Sequence, residues 1–181
     1  IMAPLSYVDR VKVSRQLPNT LILHITEGKP RYAISDTNGD YYLVTAQGKV
    51  MEQLGVGRLK DFTMVEGFRI QPPNVGEEIQ IACAPSEETK ARGQQDAMEA
   101  LLSAIEAAEL GRWIPMVQIS SSYKLSLWYE DRFSVELGNS ERLDYKLEYL
   151  KAVVEQEEAY VTGTIDLSLK DGDKAILRRG E

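Results

Sequence analysis

The chain has 181 residues, of which 43% are hydrophobic, and its formal net charge is −7. A chain of this size and composition buries a core of its own and corresponds to one domain, or to one domain with a fragment of another. The acidic excess and the lack of a basic stripe exclude a nucleic-acid scaffold and a surface that rests on anionic lipid.

Two short strands are predicted in the first thirty residues. Apolar and polar residues alternate on both sides of a turn at residues 17–20, and a period of two indicates one buried face in each strand. Pro30 lacks a backbone donor and favours an extended conformation at Lys29. We therefore predict a domain junction here, which divides the chain into residues 1–29 and residues 30–181.

The strand pattern continues to residue 83. Strands are predicted at 31–35, 41–45, 49–51 and 62–70, the last with a break at Gly67. The first three are separated by Thr37-Asn38-Gly39-Asp40 and Ala46-Gln47-Gly48, which are typical of turns.

A helix is predicted from about Gln94 to Leu110, because apolar residues recur along one face and Gly111 occupies the position of a left-handed C-terminal residue. Strands at 116–120, 124–129 and 133–137 follow it. The paired rings of Trp128 and Tyr129 then point to opposite faces of their strand, so that one of them is expected to be exposed.

A second helix is predicted after Gly138, with Asn139 or Ser140 as its N-cap. The whole order of elements predicts an α+β fold: a mostly antiparallel curved β-sheet backed by two α-helices and preceded by a short β fragment.

The C-terminal segment is predicted to be a hairpin that turns at Asp171-Gly172. The register predicted from this turn pairs Leu167 with Ile176, Ser168 with Ala175, and Asp166 with Leu177. Ala175 and Leu177 would then be apolar residues on a polar face. Such residues on an edge strand suit strand addition by a partner, but a loop or helix of the same chain would cover them equally well.

Catalytic chemistry is not indicated. His24 is the single histidine and is interpreted as an ordinary strand residue, since a triad or a two-histidine metal site needs further ligands. The glycines of Gly55-Val56-Gly57 lack the third glycine of a dinucleotide motif. We therefore expect no enzyme activity, no catalytic or metal residues and no cofactor.

Compartment and anchoring are left open by composition. The single cysteine, Cys83, excludes an internal disulfide and is predicted to be a small buried residue. No window approaches the ~18 consecutive apolar residues of a membrane span, and no signal peptide is visible. Because residue 1 is Ile, we expect a longer chain whose upstream part holds any targeting segment.

Short motifs along nearly the whole chain resemble, in order and spacing, the FtsQ/DivIB family of bacterial cell-division proteins. Those resembling the end of its POTRA domain are Tyr7-Val8, residues 11–15, residues 17–21, Ile25-Thr26-Glu27 and Pro30. Those resembling its β domain are Tyr42-Leu43-Val44, Gly48-Lys49-Val50, Leu137-Gly138, Lys146-Leu147 and Ile165-Asp166-Leu167. Thr45 and Ser168 depart from the family pattern, where an acidic residue and an arginine are common.

The resemblance implies a non-enzymatic scaffold of the division septum. It implies a single-pass protein of the cell membrane, with this part on the extracytoplasmic side, that binds two small coiled-coil membrane proteins (FtsB/DivIC-like and FtsL-like). The partner contact that it implies lies on the last strands: Leu169, Asp171, Gly172, Lys174, Ala175, Ile176, Leu177 and Arg178. The alternative is a POTRA-type module of a transport or assembly machine that binds clients by strand addition.

Overall fold

The computed structural model describes residues 8–27, 31–168 and 175–180. Its strands are β1 (Val8–Gln16), β2 (Thr20–Glu27), β3 (Tyr32–Asp36), β4 (Tyr41–Val44), β5 (Val50–Leu54), β6 (Thr63–Ile70), β7 (Met116–Ser121), β8 (Lys124–Tyr129), β9 (Phe133–Gly138), β10 (Gly163–Asp166) and β11 (Ile176–Arg179). Its α-helices are α1 (Glu88–Ala107) and α2 (Leu143–Gln156). Short 3-10 helices span Val56–Asp61, Pro85–Glu87 and Gly111–Trp113.

The strands form two sheets. Strands β1 and β2 pair with each other, antiparallel, in a sheet of two. The other nine form one sheet in the order β11-β10-β9-β8-β7-β6-β3-β4-β5. Five of its eight neighbouring pairs are antiparallel, while β3–β6, β6–β7 and β9–β10 are parallel. The predicted α+β fold with a mostly antiparallel sheet is therefore confirmed.

The main core lies between one face of the nine-stranded sheet and the two helices. Phe133, Val135 and Leu137 alternate along β9 and are all buried, as a period of two requires. Helix α1 contacts β7 and α2. The residues that α1 buries are Ala97, Met98, Leu101, Leu102, Ala104 and Ile105, at helical spacing. Helix α2 buries a similar stripe, and its apolar members belong to the same core cluster as the buried residues of β9 and β10.

Several boundaries differ from the sequence prediction. Helix α1 begins at Glu88 and not near Gln94, because its first turns are polar and carry no apolar stripe to reveal them. The left-handed residue after α1 is Glu109 (φ 57°), and Gly111 instead starts a 3-10 turn. Cys83, predicted to be buried, is exposed.

The second helix also begins later than predicted. Its first residue is Leu143, preceded by Arg142 in the left-handed conformation (φ 54°). Neither Asn139 nor Ser140 is therefore the N-cap, and the Asn139 side chain has another role. The Asn139 side-chain oxygen accepts a hydrogen bond from the Glu141 backbone N–H (3.3 Å) and another from the Lys146 ammonium (3.2 Å). The segment between β9 and α2 is thus held by side chains rather than by a standard cap.

A buried tyrosine makes the fold sensitive to alkaline pH. Tyr32 has no exposed surface, and its hydroxyl donates a hydrogen bond to the Leu102 carbonyl oxygen (3.2 Å). Burial raises the pKa of Tyr32 well above its ordinary value, and the Glu106 carboxylate raises that pKa further, while Arg31 opposes the shift. A raised folded-state pKa means that the stabilisation is present below the unfolded pKa and is lost as the pH rises above it.

We expect the free energy of unfolding to fall by about 1.4 kcal/mol per pH unit above pH ~10 through Tyr32 alone. Urea unfolding of the wild type and of Tyr32→Phe, at several pH values between about 9 and 11.5, measures this. The phenylalanine variant keeps the core ring but has no proton to lose, so its stability should approach or exceed that of the wild type as the pH rises. A constant difference between the two proteins across this range would contradict the assignment.

Candidate partner-binding edge

Strand β11 lies at one edge of the nine-stranded sheet. It pairs antiparallel with β10 over four residues, and no other strand of the described residues pairs with its outer side. An edge strand presents unpaired backbone donors and acceptors to any strand that approaches it. Among the described residues, β11 therefore meets the requirement for strand addition by a partner.

The outward-facing backbone groups of β11 can be identified from the ladder. The Gly180 backbone N–H donates a hydrogen bond to the Thr162 carbonyl oxygen, 2.8 Å away, just before β10. Hydrogen-bonded and non-hydrogen-bonded pairs alternate along an antiparallel ladder. Going back from Gly180, Ile176 and Arg178 therefore direct their N–H and C=O groups at β10, whereas Leu177 and Arg179 direct theirs away from it.

The register predicted for this hairpin is wrong by one residue. Ile176 lies opposite Asp166, and Leu177 lies opposite Ile165. A shift of one residue exchanges the two faces of a strand. Leu177, with Ala175, accordingly packs against the core, and Ile176 is the apolar side chain that is exposed, at 44%. The prediction failed because it assumed a two-residue turn, which sets a register that these strands do not have.

Of the remaining predicted contact positions, only Arg178 lies within the described residues. Arg178 is exposed, on the same face as Ile176. Leu169, Asp171, Gly172 and Lys174 lie outside the described residues, so their place at the site stays a prediction.

A close backbone approach holds β11 against β10. Gly163 has a φ of 155°, and a Cβ atom at this position would overlap the Arg178 carbonyl oxygen. The far end of β11 is tied to the end of α2 by an ion pair between Arg179 and Glu157 (3.0 Å). The edge is thus attached both by its ladder and by a side-chain contact to the helix layer.

The face of the sheet that carries Ile176 and Arg178 is the one opposite the helices. Across it, one row of register partners consists of Met64, Met116, Trp128, Ser134, Thr164 and Arg178. Trp128 is 44% exposed, while its neighbour Tyr129 is buried, as predicted from their alternation. The edge strand therefore borders an open face that exposes a large aromatic side chain.

The part of the chain that the structure describes contains neither a metal-binding cluster nor a membrane-spanning helix. There, no group of three or more His, Cys, Asp or Glu side chains is arranged to hold a metal ion. His24 lies exposed in β2. No α-helix within these same residues has the length and hydropathy needed to cross a bilayer.

Comparison with known proteins assigns the family. The model of the family described as cell division protein FtsQ/DivIB, C-terminal, matches residues 33–168. The cell division protein DivIB of Clostridium tetani is 26% identical over 175 residues, which cover 95% of this chain. The chain spans 62% of the length of that relative. It belongs to the FtsQ/DivIB family of cell-division proteins.

Proposed function

We propose that the chain is the extracytoplasmic part of a non-enzymatic divisome scaffold, anchored in the cell membrane by an upstream segment. In this proposal it binds FtsB/DivIC-like and FtsL-like partners at the septum and so helps to control septum formation. Membership in a family of cell-division proteins favours this role over that of a module of a transport machine.

The observation that carries the proposal is the open edge of β11. Its outward N–H and C=O groups suit the addition of a partner strand, which gives affinity through main-chain hydrogen bonds. The exposed Ile176 side chain offers a partner an apolar anchor beside that strand. Apolar anchors at the centre of an interface often carry about 2 kcal/mol or more of the binding free energy.

Two substitutions at Arg179 distinguish the contribution of its backbone N–H to partner binding from the contribution of its side chain. Arg179→Pro removes an N–H that faces away from β10, whereas Arg179→Ala keeps that N–H and loses only the side chain with its Glu157 ion pair. We expect the proline variant to bind the extracytoplasmic segment of an FtsB/DivIC-like partner at least ~10-fold more weakly than the alanine variant, because strand addition needs the donor. Calorimetric titration of the purified proteins measures the difference.

The side-chain anchor is tested in the same titrations with Ile176→Glu, which should weaken binding roughly 30-fold, the equivalent of about 2 kcal/mol. Position 176 is preferred to 177 because Leu177 packs on the core and its replacement would destabilise the protein. Lys151→Ala, an exposed change on α2, is the matched control. Equal affinity of all variants would place the contact elsewhere, and no binding by the wild type would refute the scaffold role with this class of partner.

A further inference from the structure

A cleft of about 790 Å³ lies at one end of the nine-stranded sheet, and none of its lining residues belongs to β10 or β11. Its walls come from the segment before β3, the end of the Val56–Asp61 helix, the Gly111–Trp113 turn and the β8–β9 turn. Pockets of a few hundred to about 1,000 Å³ hold small ligands or a few residues of a peptide. The cleft is therefore large enough for a short peptide segment.

Hydrogen bonds join the walls of the cleft. The Thr63 hydroxyl donates to the Ile114 carbonyl oxygen at 2.7 Å, in a buried position. The Glu130 backbone N–H donates to the Trp113 carbonyl oxygen at 2.8 Å. Because these bonds join separate segments to one another, the cleft is preformed. Binding a ligand would therefore cost less free energy than binding to a cleft whose walls had to become ordered first.

The charge of the cleft is opposite to that of the whole chain. Four cationic side chains line it, against three acidic ones. Arg132 and Glu130 neutralise each other through an ion pair of 2.6 Å. Arg31, Lys60 and Arg112 then remain against Asp61 and Asp131, an excess of one positive charge. None of these three cations forms an ion pair with a carboxylate of the described residues. In a chain of net charge −7, this arrangement creates a local attraction for carboxylates.

An aromatic surface lies beside these cations. The Trp113 side chain is 40% exposed, and the Arg112 guanidinium lies 4.7 Å from the centre of its ring. The Arg31 side chain lies over Gly111, where an added Cβ would come within 3.0 Å of a guanidinium nitrogen. Cations beside an exposed ring fit a ligand that has both carboxylates and apolar side chains.

We propose that this cationic cleft (Arg31, Lys60, Arg112 and Trp113) binds an acidic peptide segment of a protein partner, at a site separate from the β11 edge. A peptide fits better than a phosphate polymer because Asp61 and Asp131 also line the cleft. Their carboxylates repel a dense run of negative charge but accept a chain whose carboxylates are spaced.

The chain contains two tryptophans, so Trp128→Phe leaves Trp113 as the single fluorescent reporter in the cleft. The probe is a five-residue peptide of alternating glutamate and leucine, blocked at both ends and titrated into the 181-residue chain. We expect a saturable change in Trp113 emission that weakens with added salt. The double variant Arg31→Ala, Lys60→Ala should bind at least ~5-fold more weakly, whereas Lys151→Ala should bind normally.

The same peptide with glutamine in place of glutamate is the neutral control and should not saturate. Equal binding of the neutral peptide, or unchanged affinity in the double variant, would overturn the proposal. Tighter binding of inorganic tripolyphosphate, with displacement of the peptide, would assign the cleft to a phosphate polymer instead. Since these titrations involve no division partner, their result is independent of the test of the β11 edge.

Discussion

Replacing Lys146 with methionine is expected to lower the free energy of unfolding by about 2 kcal/mol. The Lys146 side chain is 2% exposed, and its ammonium donates to the carbonyl oxygens of Leu137 (2.7 Å) and Asn139 (2.9 Å). Methionine has nearly the same shape but no donor, so these carbonyl groups would lose their partner. An unsatisfied buried acceptor costs about 1–3 kcal/mol.

Burial lowers the pKa of Lys146, and the nearby Glu141 carboxylate opposes the shift while Arg142 adds to it. Desolvation of the buried ammonium therefore costs free energy in the wild type, and the methionine variant avoids that cost. The expected value of about 2 kcal/mol is the loss of hydrogen bonding minus this avoided desolvation cost. Urea unfolding at neutral pH measures it. Lys151→Met, an exposed change on the same helix, is the control and should alter stability by less than ~0.5 kcal/mol. A methionine variant at position 146 as stable as the wild type would contradict a structural role for this ammonium.

The second large effect is expected at Gly163. Alanine there would place its Cβ against the Arg178 carbonyl oxygen, and a φ of 155° is itself costly for a residue with a side chain. Because the obstructing atom belongs to the backbone, β11 has to move away from β10. We expect Gly163→Ala to detach the edge strand while the rest of the sheet stays folded.

Hydrogen exchange followed by NMR tests this directly. The amides of Ile176 and Arg178, which face β10, should exchange roughly 10-fold or more faster in the variant, while amides of β8 and β9 keep their protection. Gly55→Ala is the matched control, since an added Cβ there meets nothing within 4 Å. Unchanged protection of the Ile176 and Arg178 amides in Gly163→Ala would contradict the expected detachment of β11.

Alternating hydrophobicity predicted most of the sheet. Along β9 the apolar residues at positions 133, 135 and 137 are the buried ones, and the exposure of Trp128 beside a buried Tyr129 follows the same rule. These predictions succeeded because strand direction fixes which side chains share a face. The hairpin register failed because the prediction extended both strands to a turn at Asp171-Gly172, whereas β10 ends at Asp166 and β11 begins at Ile176.

Two other features could not be read from the residue pattern. Lysine is among the residue types most often exposed, so nothing local marks Lys146 as buried. The cationic cleft combines residues from four separate parts of the chain, and only the folded sheet brings Arg31, Lys60 and Arg112 together. Local patterns describe faces of single elements, whereas these two features depend on how distant elements meet.

The parallel pairing of β9 with β10 has a consequence for the order of folding. Parallel neighbouring strands cannot be joined by a tight turn. Here the connection from the end of β9 to the beginning of β10 contains α2. Residues 139–162, which include α2, must therefore close into a loop before β10 can pair with β9, and among the described residues β10 is the only strand that β11 pairs with. Such non-local pairing is slow to form. The β11 edge is thus expected to form only after β10 has paired with β9, so that a strand added to this edge would select chains in which this end of the sheet is already assembled.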